Sequence, residues 1–151
     1  MKQILVVSDS HCNHDVLQYL LSIYPNALAY LHLGDSQESA NYIYPFITIK
    51  GNNDFLIKEE YRIINVDCLK IYMIHGHQIY RNKESMVARA HKYGCNVFLY
   101  GHTHVPFYEY YDGVHILNPG ALNYPRTPLG ATYALINIKD DNSIDVEIKQ
   151  L

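Results

Sequence analysis

Tryptophan is absent from this sequence, cysteine occurs only three times, and the 12 lysines and arginines are outnumbered by 15 aspartates and glutamates. Cys12, Cys68 and Cys95 are odd in number and include no C-x-x-C pair. That excludes a disulfide framework and points to a reducing, cytoplasmic setting, with Cys68 and Cys95 expected as small core residues. A net charge of −3 and a pI of about 6.3 leave no basic field for duplex nucleic acid, although a bound cation would supply local positive charge unseen in that count. The opening apolar run breaks at Ser8-Asp9, too short for a signal peptide or a membrane span, so no membrane partner is expected. Repeats, low-complexity tracts and linkers are also missing, and residues 1–151 read as a single domain. With no tryptophan, the aromatic content rests on 15 tyrosines, which suit half-buried strands and carry no catalytic weight.

What is present is a series of short apolar runs. QILVVSD predicts a buried strand, HDVLQYLLSIYP a helix closed by Pro25, and ALAYLHL and FITIKG two further strands, with a weak helix in SQESANYIYP between them. YRIINVDC and LKIYMIHG predict a hairpin, KESMVARAHKYG a helix stopped by Gly94, and NVFLYG a strand. PFYEYYDG, VHILNPG, GATYALINI and SIDVEI read as antiparallel strands, with Asp112-Gly113 and Asp141-Asn142 as turns. The expectation is one α/β domain, two sheets packed together with helices outside.

Polar residues collect where the strands stop. The runs end in Asp9-Ser10-His11, Gly34-Asp35, Gly51-Asn52-Asn53-Asp54, His75-Gly76-His77 and Gly101-His102-Thr103-His104. In open α/β sheets ligands bind at the carboxyl ends of strands, so these segments belong on one rim. Imidazole and carboxylate without thiolate suit divalent manganese, iron, nickel or zinc. The donors exceed the needs of one ion, and a carboxylate can bridge two ions about 3.5–4 Å apart. Each segment alone is a weak signal; the ordered set is a strong one.

In this order the motifs D-x-H, G-D, G-N-x-D, H-G-H and G-H-T-H resemble the calcineurin-like metallophosphoesterase superfamily, and the length resembles its small bacterial and archaeal phosphodiesterase branch, which has no cap domain. The likeness runs from Asp9 to about Arg126 and takes in Asn118-Pro119-Gly120. It implies a four-layer α/β sandwich, with two mixed sheets flanked by helices. It also implies two divalent ions, manganese first with nickel, iron or zinc as alternatives. Asp9, His11 and His104 would hold one ion, Asn52, His75 and His102 the other, and Asp35 would bridge them. A hydroxide between the ions would attack phosphorus in line. Asp54 would orient a ligand from behind, and Arg126 would reach phosphate as a guanidinium donor.

Two departures stand out. Asn53 occupies a position where much of the superfamily has histidine; an amide can hydrogen-bond a phosphoryl oxygen but cannot act as a general acid near pH 7. The consequence expected is a preference for good leaving groups, with His77 as the candidate acid. Cys12 follows the D-x-H motif where glycine is usual and would narrow the mouth of the site.

Other histidines have plainer readings. His32 lies before its strand end and is expected in the core, His91 faces solvent on a helix, and His14 and His115 have no partner in the pattern. Tyr108, Tyr110 and Tyr111 read as strand packing, with a self-association face, and hence a homo-oligomer, as the minority alternative. The leading functional expectation is a phosphodiesterase acting on a small or exposed phosphodiester. Its rivals are a phosphomonoesterase on the same metals and a non-catalytic scaffold of the same fold. Every expected ligand position is filled, which weighs against the scaffold, and the missing histidine at Asn53 weighs against alkyl monoesters.

Overall fold

The computed structural model describes residues 1–151. Strands β1 (Lys2–Val7), β2 (Ala29–His32) and β3 (Phe46–Thr48) run parallel, and β9 (Thr132–Ile138) and β10 (Ile144–Gln150) extend the same sheet antiparallel in the order β10-β9-β1-β2-β3. A second sheet has the order β4-β5-β6-β8-β7, from β4 (Tyr61–Val66), β5 (Leu69–Ile74), β6 (Val97–Leu99), β7 (Phe107–Tyr111) and β8 (Val114–Asn118). Within it β5, β6 and β8 are parallel, whereas β4 and β7 pair antiparallel at the two edges.

The two-residue period of a strand explains the layering. On β1, Ile4 and Val6 face the second sheet and join Leu31, Leu33, Ile71, Met73, Leu99 and Ile136 in the central core. Leu5 and Val7 face the other way and pack with Val16, Leu17 and Leu20 of helix α1 (His14–Ile23). The second sheet repeats the plan, with Tyr72, Phe98 and Ile116 meeting Met86, Val87 and Ala90 of helix α2 (Lys83–Lys92). Because both faces of β1 and β6 are buried, their sequences read as continuous apolar runs. The result is the four-layer α/β sandwich of two mixed sheets that the motifs imply. Its helices are capped locally: the Asn13 side chain accepts from Val16 N–H, Asn82 accepts from Ser85 N–H, and Gly94 ends α2 with a φ of 69°.

Three local expectations are corrected. The stretch from Ser36 to Pro45 is a series of turns, with no helix. Ile43 is its one buried apolar anchor, while Tyr42 and Tyr44 point to solvent, so there is no apolar stripe for a helix to bury. Cys68 is exposed, because it sits in the tight turn between β4 and β5, next to Asp67 at a φ of 54°. And β8, read as antiparallel, is so only to β7; it lies parallel to β6. Cys95 is buried, His32 is fully buried against Ser10, and His91 is exposed, as the sequence suggests. No helix is long and apolar enough to cross a membrane.

The inter-sheet core carries the stability. Leu31→Ala, at a fully buried site between the sheets, should lower unfolding free energy by about 2–5 kcal/mol. Ile47→Ala, at a partly exposed site on edge strand β3, should cost less than about 1 kcal/mol. Denaturant titration of both variants checks this.

Candidate metal centre

The parallel strands of both sheets stop at one rim, and their polar ends are tied together there by main-chain hydrogen bonds. Asp9 N–H donates to Gly34 C=O at 3.0 Å, His11 N–H to Asp35 C=O at 2.9 Å, Gly101 N–H to His75 C=O at 2.8 Å and Asn123 N–H to Asp9 C=O at 3.1 Å. Asp9, His11, Asp35, His102 and His104 all take φ between 43° and 69°, the left-handed region that side chains with a Cβ rarely enter. The chain therefore turns sharply on these residues themselves, and after β5 on Gly76, whose φ is 113°. The glycine at 51 serves closeness: a methyl there would overlap the Asp35 carboxylate and backbone.

Three imidazoles are oriented in the same way. His104 Nδ1 lies 2.7 Å from Tyr124 C=O, His75 Nδ1 2.7 Å from Leu33 C=O, and His11 Nδ1 2.9 Å from Gln37 Oε1. A carbonyl oxygen only accepts, so each Nδ1 carries the proton and each neutral ring presents a lone pair at Nε2. Those Nε2 atoms face carboxylates. Asp9 Oδ1 lies 3.2 Å from His104, 3.7 Å from His11 and 3.8 Å from His75, and Asp35 Oδ2 lies 3.4 Å from His75 and 4.0 Å from His11. Asp9 Oδ1, His11 Nε2 and His75 Nε2 are buried without a hydrogen-bond partner. Lone pairs facing lone pairs call for a cation between them, either protons on the rings or a metal.

The arrangement fits metal. Ligand atoms of Asp9, His11 and His104 lie within 4.8 Å of one another, as do those of Asp9, Asp35 and His75. Two donors about 2.1 Å from a shared ion stand roughly 3–3.5 Å apart, close to these separations. Hydrogen bonds from the imidazole Nδ1 atoms to carbonyls are also what metal-binding histidines ordinarily make.

The carboxylates are held from behind. Asp9 Oδ2 accepts from Ser8 Oγ at 2.6 Å and from His102 N–H at 3.1 Å, leaving Oδ1 for the cluster. Asp35 accepts from Asn53 N–H at Oδ1 (2.8 Å) and from the Asn53 side-chain amide at Oδ2 (2.9 Å). Asp54, itself buried, accepts from Asp35 and Gly51 N–H at 2.8 Å each and from Gln37 N–H at 2.7 Å, so it fixes the turn that carries Asp35.

The charges follow from this packing. Burial alone would raise the Asp9 carboxyl, but His104, His11 and His75 outweigh it and hold it far below the ordinary value. Burial likewise opposes ionisation of Asp35, yet His75 and the Asn53 donors bring it down to about 2. His11 and His104 are raised by Asp9 against burial, and His75 is raised because Asp35 and Asp9 overcome its burial.

A cavity of about 240 Å³ opens over this cluster, and Asn52, Asn53, His102 and Arg126 reach its lining with His11, Asp35, His104 and Tyr124. Asn52 and Arg126 are exposed and His102 is half-buried, its ring 5.2 Å from that of His75. His77 is exposed at the rim, with its ring 6.0 Å from His102 and outside the two ligand groups. Sequence reasoning missed Ser8, Gln37 and Tyr124. Ser8 could have been flagged by its place beside Asp9, but Tyr124 acts through its carbonyl and leaves no sequence signal. It also left His14 and His115 unpartnered. His14 Nδ1 meets Glu38 at 3.1 Å, and His115 takes the Tyr108 hydroxyl at 2.8 Å with the Tyr110 ring 4.4 Å away.

Comparison with known proteins agrees with this geometry. The sequence model of the calcineurin-like phosphoesterase superfamily domain matches residues 1–141. A probable metallophosphoesterase of Mycoplasma pneumoniae is 29% identical over 154 residues, spanning 97% of this chain and 96% of its own length. A phosphodiesterase of Methanocaldococcus jannaschii is 30% identical over 139 residues, 76% of this chain and 81% of that protein. The crystal structure of a predicted phosphoesterase from Streptococcus pneumoniae superposes with a TM-score of 0.88 at 28% identity, covering 99% of this chain and 89% of that one. This chain belongs to the calcineurin-like phosphoesterase superfamily and is a metal-dependent hydrolase of phosphoric esters.

Proposed function

We propose that this hydrolase cleaves small or exposed phosphodiesters using two divalent ions, manganese first among them. The observation that carries the reading is the set of Nε2 lone pairs of His11, His75 and His104 converging on the carboxylates of Asp9 and Asp35, with Asp9 Oδ1, His11 Nε2 and His75 Nε2 buried without a hydrogen-bond partner. Asp9, His11 and His104 would hold one ion, Asn52, His75 and His102 the other, with Asp35 facing both. Bound there, the ions supply a nucleophile ionised near neutral pH and neutralise charge that builds on the phosphoryl oxygens.

The remaining work falls to the chain. Arg126 and the second N–H of the Asn53 amide offer donors to phosphoryl oxygens from the cavity lining. His77 is a poor proton donor at pH 7, because burial and the neighbouring His75 hold its imidazole below 6.5. With Asn53 unable to protonate and His77 mostly neutral, the leaving group departs with little help, which favours phenolates over alkoxides. A cavity of about 240 Å³ is below the roughly 300–1,000 Å³ usual for ligand sites and suits a small or protruding ester. Three free thiols suit a reducing, cytoplasmic compartment, and a net charge of −3 does not suit duplex nucleic acid.

Stripped protein reloaded with manganese, nickel, zinc or magnesium should turn over aryl phosphodiesters faster than aryl monoesters. Absence of turnover with every metal defeats the reading, and a monoester preference replaces it with a phosphomonoesterase. Asp35→Asn should lower turnover by more than the ~10–100-fold that loss of an outer-shell partner costs, with folding preserved by circular dichroism.

Protons and metal compete for the same lone pairs, so the stabilisation that metal gives depends on pH. The raised histidines His11, His75 and His104 contribute stability that is full below 6.5 and is lost as pH rises through their folded values. The lowered carboxyls Asp9 and Asp35 contribute stability present above 3.8 and lost as pH falls toward their folded values. His32, His77, His102 and His115 are lowered and act in the opposite sense, their stability being lost as pH falls below 6.5. The sign is therefore carried by the metal: saturating manganese should raise the melting temperature more near pH 8.5 than near pH 5. Thermal melts at the two pH values, with and without manganese, check the sign.

A further inference from the structure

The Tyr124 side chain is one for which neither the metal cluster nor the core gives a reason. The residue's backbone sits at a φ of 54°, a conformation that carries a cost for a residue with a side chain. Burial does not offset that cost, since 66% of the residue is open to solvent. The loop around it is nevertheless pinned on every side. Leu122 N–H donates to Ser8 C=O, Asn123 N–H to Asp9 C=O, Arg126 N–H to His104 C=O, and Tyr124 C=O receives His104 Nδ1–H at 2.7 Å. A rigid loop thus presents an exposed aromatic ring at a fixed place.

That place is the wall of the cavity. The Tyr124 ring lies 5.5 Å from the His11 ring, edge to face, so it is set directly beside the ligand cluster. Among the residues lining the cavity it is the single hydrophobic one; the others are carboxylate, amide, imidazole or guanidinium. Arg126, two residues along the same loop, lines the cavity too. One short segment therefore offers a cation for a phosphate and, beside it, a flat apolar surface for whatever the phosphate is attached to. Flat rings stack on such a surface in offset or edge-to-face geometry, and an alkyl group gains far less there.

We infer that Tyr124 is a specificity residue that selects phosphate esters carrying an aromatic ring, by stacking with that ring while the phosphate lies over the metal cluster. This rests on the phosphoesterase site described above and adds the substrate class. The role belongs to the side chain, because the hydrogen bond that orients His104 comes from the Tyr124 main chain and survives any substitution at 124 other than one that moves the backbone.

The test uses the manganese-loaded protein and calorimetric binding of two ligand pairs, phenyl phosphate with methyl phosphate and adenosine monophosphate with ribose 5-phosphate. Wild type should bind the aromatic member of at least one pair about fivefold more tightly, the scale of one aromatic contact. The pair that shows the preference tells an aryl ester from a nucleotide. Tyr124→Phe should keep the preference. Tyr124→Leu should reduce it to less than about twofold while leaving methyl phosphate and ribose 5-phosphate binding unchanged. No preference in wild type, survival of the preference in Tyr124→Leu, or equal weakening of both members of a pair would each overturn the inference. Turnover of bis(p-nitrophenyl) phosphate is read separately. Its absence defeats the phosphodiesterase reading, and the binding ratios still decide the role of Tyr124.

Discussion

A single carboxylate oxygen, Asp9 Oδ1, governs the rest of this structure. It is buried without a hydrogen bond, and the Nε2 atoms of His104, His11 and His75 approach it to within 3.2, 3.7 and 3.8 Å. An ionised carboxylate in that position is strongly unfavourable unless positive charge stands beside it. Each Nδ1 is already committed to a carbonyl, so the charge has to come at Nε2, from a proton or a metal. The surrounding turns, donors and glycines can be understood as whatever is needed to hold these acceptors together until a cation joins them.

Holding them together has an energetic cost that the folded chain meets elsewhere. Asp9, His11, Asp35, His102 and His104 sit in the left-handed region, at roughly 1–3 kcal/mol each, and the carboxylates of Asp9, Asp35 and Asp54 are buried. The offset is an unusually complete set of donors. Ser8 and the His102 N–H serve Asp9, Asn53 serves both oxygens of Asp35, and Asp54 gathers three backbone N–H groups from the Asp35 and Gly51 turns. Without a cation this balance is delicate, since the histidines must carry protons to quiet the carboxylates. A divalent ion does the same work at a pH where imidazole has lost its proton, which is how such a site stays formed under neutral conditions.

Much of this was legible in the sequence, for a definite reason. Where both faces of a strand are buried, its end is marked by a sudden change from apolar to polar residues, so Asp9, Asp35, His75 and His102 announce themselves at the ends of β1, β2, β5 and β6. The layering was legible for the same reason. What could not be read depends on backbone atoms. The carbonyls of Leu33 and Tyr124 that choose the histidine tautomers belong to residues of no particular chemistry, and the positive φ values around the site fall on Asp, His, Cys, Gln and Tyr, where the residue type gives weak notice. The helix expected between Ser36 and Pro45 failed because a single buried apolar side chain, Ile43, cannot orient a helix, and the stretch is left as turns.

The two sheets divide the labour. The first supplies Asp9, His11, Asp35 and Asn52 from the ends of β1, β2 and β3, while the second supplies His75, His102 and His104 from the ends of β5 and β6. Carboxylates thus come from one sheet and most of the imidazoles from the other, and a cation between them joins the two. Direct ties across that seam include His75 Nδ1 to Leu33 C=O, His102 N–H to Asp9 Oδ2, and the backbone of Gly101 packed against Ser8 and Asp9, where a side chain would collide. Ligand separation is therefore set by how Ile4, Val6, Leu31 and Leu33 interlock with Ile71, Met73 and Leu99. A close-packed core transmits a displacement of one sheet directly to the other. The placing of these side chains is in this sense a property of the hydrophobic interface beneath them.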